Sequence, residues 1–178
     1  MDQVLNLSLK DFLAYIKTID YGYKDTHGVV HIHTEEYDLN RNPYSFSSPQ
    51  TVIKNNCAWC WDICELIRSY CAKNGIHVST WFYEYQDDNI HQTHTQSFIQ
   101  LEELWFPVPD NSDPHDFYEF SGKTFDAVTT EFQGYFREFI RYLAKGSENN
   151  DAFLFREYME IPEEGMTDEE VLSVLRGQ

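Results

Sequence analysis

The sequence predicts an α+β domain, and three observations carry that prediction. A broad apolar stripe of helical period (Cys57, Cys60, Ile63, Cys64, Ile67 and Cys71) marks a helix buried near the middle of the chain. Three β-rich segments follow at once, residues 76–85, 93–101 and 104–108, spaced for antiparallel pairing. A second long helical pattern over residues 124–145 completes the order helix, loop, buried helix, strands, helices.

Taken in chain order, Ser8 with Asp11 opens an amphipathic helix to about residue 18, with Leu9, Phe12, Leu13 and Ile16 on one face. Residues 21–49 are rich in Gly, His, Asn, Ser and Pro and read as loops. One short strand at 29–33 interrupts them and sets His31 and His33 on one face. Asn55 or Asn56 is expected to cap the central helix, which stops at Asn74-Gly75. Asp62, Glu65 and Ser69 lie opposite its apolar stripe; Asp62, Glu65 and Arg68 form an i, i+3 ladder, read as scaffold. Asp87-Asp88-Asn89 turns the first strand into the second, and Glu102-Glu103 supplies a weaker hairpin signal. Pro107 and Pro109 lead into an acidic loop at 110–116. The following helix should face inward through Phe125, Val128, Phe132, Phe136, Ile140 and Leu143. Residues 151–161 carry no decisive pattern, and Thr167-Asp-Glu-Glu-Val caps a short last helix expected to fray. There is no internal repeat. One domain over 1–178 is expected, with a core at about 48–111 and a helical C-terminal extension at about 114–178.

With 178 residues and 42% hydrophobic content the chain can bury a substantial core, dominated by rings such as Trp59, Trp61, Trp81 and Trp105. Its net charge is −17, from 30 acidic and 13 basic residues. Such a surface repels phosphate backbones and anionic lipid, so direct nucleic-acid or membrane binding is not expected. Solubility alone accounts for the charge, although it also suits a basic partner. The first residues lack a basic region, a long apolar run and a small-residue cleavage site, so a cytoplasmic location with reduced cysteines is expected.

The chemistry concentrates in three places. Cys60 stands near the start of a helix, His94 in a Thr-His-Thr strand, and Asp110 just past the third strand. A helix N-terminus favours a thiolate, a histidine can take and return its proton, and an acid can orient the imidazole. Cys57, Cys64 and Cys71 read as core residues. Helix-capping logic slightly favours Cys57 as the nucleophile, because a helix capped by Asn56 would set Cys60 one turn deeper.

Cys60-Trp61-Asp62-x-x-Glu65-x-x-Arg68, Gly75-Ile76, Thr93-His94-Thr95 and Trp105-Phe106 resemble the transglutaminase-like superfamily of papain-type cysteine enzymes, especially its small bacterial members. The resemblance covers residues 48–111, about a third of the chain. It implies a buried central helix on an antiparallel sheet, with Cys60 as nucleophile, His94 as base and Asp110 as the acid. Ala58 stands where glycine is common in the family and Pro109 where an acid is common, so Asn111 remains an alternative third member. The implied activity is thiol-dependent acyl chemistry on an amide or peptide bond, by hydrolysis or transfer. The implied substrate is a peptide, a protein or a small amide.

Neither an organic cofactor nor a metal is expected, since no segment matches a calcium loop. A zinc site built from Cys57, Cys60, Cys64 and His91 or His94 lacks the usual second pair of ligands. The contrasting possibility is non-enzymatic: an acidic interaction protein, as a nucleic-acid mimic or an inactive scaffold.

Overall fold

The computed structural model describes residues 1–32 and 42–178, so His33 lies outside the described residues. The elements in order are α1 (Asp2–Leu5), α2 (Leu9–Ile16), β1 (Asp20–Asp25), β2 (Val30–Ile32), β3 (Tyr44–Ser45), α3 (Pro49–Asn55) and β4 (Cys57–Ala58). They continue with α4 (Cys60–Asn74), β5 (His77–Gln86), β6 (His91–Leu101), β7 (Leu104–Val108), α5 (Phe125–Leu143), β8 (Phe153–Glu157) and α6 (Asp168–Arg176). The fold class is α+β, as the sequence predicts.

The main sheet is antiparallel throughout, in the order β7-β6-β5-β8. Successive side chains on a strand point to opposite faces. On β6, Ile99 packs with Ile63, Ile67 and Tyr70 of α4 and with Phe12 and Ile16 of α2. Its neighbour Phe98 packs instead with Trp105 and Val128 of α5. The sheet is therefore the middle layer between α4 and α5. Val171, Leu172 and Leu175 of α6 join Phe82 and Trp61 in a further cluster, which anchors a helix expected to fray. Thr167 and Glu170 close its N-terminus as a capping box.

Four expectations need correction. Asn56 does not cap the central helix: it ends α3, with φ at 50°, a left-handed conformation that asparagine tolerates. The chain then makes a short parallel pairing of β4 with β1 before α4 starts at Cys60. Residues 21–49 are not simply loops. There, β1 pairs antiparallel with β2 and β3, in runs too short to leave a periodic signal. A Cβ at Gly22 of β1 would lie 2.1 Å from the His31 carbonyl oxygen and 2.9 Å from Cys57 Sγ, so only glycine permits this approach.

The third correction concerns the C-terminal extension, which is not purely helical. Phe153 to Glu157 forms β8 and pairs with β5, Phe155 opposite Tyr83. The alternation Phe153-Leu-Phe155-Arg-Glu157 carries this strand, and it completes the central sheet. Leu143, expected on the inner side of α5, is 36% exposed, whereas Val128, Phe136 and Ile140 are buried.

Candidate active site

α4 begins at Cys60 because a buried carboxylate holds its first turn. Asp62 Oδ2 accepts a 2.9 Å hydrogen bond from the Trp59 backbone N–H. Its Oδ1 accepts from the Tyr44 hydroxyl at 2.6 Å and from the Ser47 N–H at 2.9 Å. Asp62 is fully buried, and burial outweighs these three bonds, lifting its carboxyl to about 7. Glu65 is also buried and lifted to about 7 by burial, against the pull of Arg68 at 3.1 Å. The ladder read as scaffold is therefore an interior feature rather than a solvated strip. The first helical hydrogen bond runs from the Ile63 N–H to the Trp59 carbonyl. The N–H groups of Cys60, Trp61 and Asp62 thus have no partner within the helix.

The four cysteines divide clearly. Cys57, Cys64 and Cys71 are buried, and burial, with nearby acids at Cys57, pushes each thiol up to about 12. Cys60 alone keeps partial exposure. It lines a cavity of about 230 Å³ walled by Trp59, Trp61, Thr93 and, from α6, Asp168 and Leu172.

His94 comes from β6, opposite Tyr83 of β5. β7 pairs only with residues 97–101 of β6, so at residues 91–96 β6 keeps one edge unpaired by β7. At this edge Tyr21, Gln92 and Thr93 line both the Cys60 cavity and a larger one, about 610 Å³, that contains His94. The two cavities are therefore neighbours, with the thiol in one and the imidazole in the other. Burial alone would depress His94. A side-chain hydrogen bond with Cys60, the charges of Cys60 and Asp110, and a hydrogen bond with Gln96 outweigh it and raise the imidazole to about 9.

Asp110 is 7% exposed and acts on His94 by charge. Its Oδ1 accepts from the Ser112 N–H, the Ser112 hydroxyl and the Asp113 N–H at 2.7–3.0 Å, closing the turn after β7. Lys17 fixes the same turn by donating to the carbonyls of Asp110 and Asp113. Asn111 Nδ2 donates to the Ala58 and Ile19 carbonyls at 3.0 and 3.3 Å.

Gln96 is the residue that sequence reading missed. Its Nε2 donates to the carbonyls of Ser97 and Val108 at 2.9 and 2.8 Å, which leaves Oε1 to accept from the His94 ring. The available signal was its place two residues after His94, on the same strand face.

The other histidines named in the sequence have separate partners. His31 bonds Asp25 at 2.8 Å and stacks on Tyr23, while His91 bonds Glu84 at 2.7 Å. Among the described residues, no three His, Cys, Asp or Glu side chains are placed to hold a metal ion. Among the same residues, no helix is long and apolar enough to cross a membrane. Compared with protein-family models and with curated proteins, the chain matches none.

Proposed function

We propose that this protein carries out thiol-dependent acyl chemistry on an amide or peptide bond, on a core of the transglutaminase and papain type. The reading rests on one observation: Cys60 begins a helix in a cavity that adjoins the one holding the half-buried His94, and its thiol helps raise that imidazole. An imidazolium and the positive end of a helix both stabilise a negative sulfur.

In this mechanism Cys60 Sγ attacks the carbonyl carbon, and the electron pair of the C=O moves onto oxygen. The N–H groups of Cys60 and Trp61 receive that oxyanion. Collapse breaks the C–N bond, and His94 gives its proton to the departing amine. The thioester then passes to water or to a second amine, with His94 accepting the proton of that nucleophile. Asp110 supports the imidazolium by charge and Gln96 by a hydrogen bond.

Iodoacetamide labelling across pH, followed cysteine by cysteine by peptide mass spectrometry, tests the pair. Cys60 should label fast well below pH 8, and His94→Ala should slow it by about a hundredfold, the lower end of what a positioned base supplies. Labelling of Cys60 at the rate of an ordinary thiol, or no response to His94→Ala, would leave the acidic binding or inactive-scaffold reading in its place.

A further inference from the structure

A cavity of about 610 Å³ is built mainly by residues outside the segment that resembles a known family. Phe120, Phe132, Tyr135, Phe136 and Phe139 line it from α5 and the approach to α5, facing Tyr83 and His94 of the sheet. Among the described residues no lysine or arginine lines it; Asp113 supplies a carboxylate, and His94 and His115 supply imidazoles. Tyr135 and Phe139 are about half exposed, at 52% and 48%, so rings stand at its mouth as well as in its wall. Tyr83 is 1% exposed, and its hydroxyl has no hydrogen-bond partner among the described residues. A buried hydroxyl without a partner costs about 1–3 kcal/mol unless something bonds to it.

We infer that this cavity of about 610 Å³ receives a bulky, uncharged, ring-bearing group of the acyl substrate, with an amide beside that ring bonding to the Tyr83 hydroxyl. The inference rests on Cys60 and His94 being the reacting pair, because it is their adjoining cavity that sets the substrate's position. Rings favour rings by burial and by edge or offset contacts. Asp113 at the lining and a net charge of −17 weigh against an anionic group, set against the two imidazoles of His94 and His115.

The test compares alkylation of Cys60 by iodoacetamide and by N-(2-naphthylmethyl)iodoacetamide in the full chain. The naphthyl probe should react about tenfold more efficiently, equivalent to about 1.4 kcal/mol of preferential binding. That ratio should fall about fivefold in Phe139→Ala and in Tyr83→Phe, which keeps the ring and removes the hydroxyl. Tyr135→Ala, at a second exposed position, serves if Phe139→Ala fails to fold. An equal rate for the two probes, or a ratio that no variant changes, overturns the inference.

The unreactive N-(2-naphthylmethyl)acetamide separates this result from the chemistry. Its binding to Cys60→Ala protein, followed by NMR and weakened by Phe139→Ala, supports the cavity even if Cys60 is no faster than an ordinary thiol. A fast, His94-dependent Cys60 with no naphthyl preference removes the cavity inference and leaves the chemistry standing.

Discussion

Cys57 lies in β4 against Gly22, its sulfur 4.0 Å from the His31 carbonyl oxygen, whereas Cys60 opens α4 beside a cavity and a histidine. The two are neighbours in sequence and identical in chemistry. Burial and the charges of Asp62 and Asp20 push Cys57 up to about 12, holding it as a neutral, hydrophobe-like side chain. The backbone turns from strand to helix between them, and that turn decides which sulfur meets the imidazole. On the proposed reading reactivity is a property of the junction, and Asp62 is the group that fixes the junction.

The contrast breaks most completely if the sulfurs are removed one at a time. Cys60→Ala should abolish the single fast labelling event while costing little stability, since Cys60 is only partly buried. Cys57→Ala should do the reverse, losing about 1–2 kcal/mol in denaturant melts while Cys60 still labels fast. A fast-reacting Cys57 would invert the assignment.

Asp62→Asn attacks the junction itself. An amide offers only one oxygen to three donors, so stability should drop by about 3 kcal/mol in urea unfolding. The pH dependence should change as well. Asp62 holds its proton up to about 7 in the folded state against 3.8 as a free side chain. Between those values the folded state binds more protons, so this group's contribution is full below the lower value and is lost as pH rises through the upper one. The slope is about −1.4 kcal/mol per pH unit at most. Wild type should therefore lose more stability than Asp62→Asn from pH 4 to 7; parallel curves would remove Asp62 as the cause.

A smaller effect sharpens the imidazole side. Gln96→Ala should lower the rate of amide turnover about tenfold and shift its alkaline limb downward, because the cation loses an acceptor. The conservative Gln96→Glu should retain or raise that limb; a merely structural glutamine would leave it unmoved. In wild type the limb itself should fall near pH 9, where His94 gives up the proton needed by the departing amine. An alkaline limit near the free-histidine value would contradict the coupling to Cys60 and Asp110.

The central helix, the three consecutive strands and the long helix α5 were legible because each repeats its period over many residues. The turns Asp87-Asp88-Asn89 and Glu102-Glu103 were legible from position. Strands β1, β3 and β4 were not, since two to six residues against a Gly- and Asn-rich background leave no period. Asn56 misled because asparagine serves at both ends of helices, and here it ended one rather than starting the next. At the site, the choice of Cys60 and His94 rested on the family resemblance, since capping logic alone slightly favoured Cys57. Gln96 was not legible, because its role depends on two carbonyls, Ser97 and Val108, that meet only after β7 folds back on β6.

The pairing of β8 with β5 also has a consequence for the order of events during synthesis. Cys60, His94 and Asp110 leave the ribosome well before β8 and α6. Until Asp168 and Leu172 arrive, the wall they form around the thiol is missing, and β5 keeps the edge that β8 will take. The nascent chain thus carries an exposed sulfur and an unpaired strand until β8 and α6 emerge. Oxidation and edge-to-edge association are the hazards of that interval.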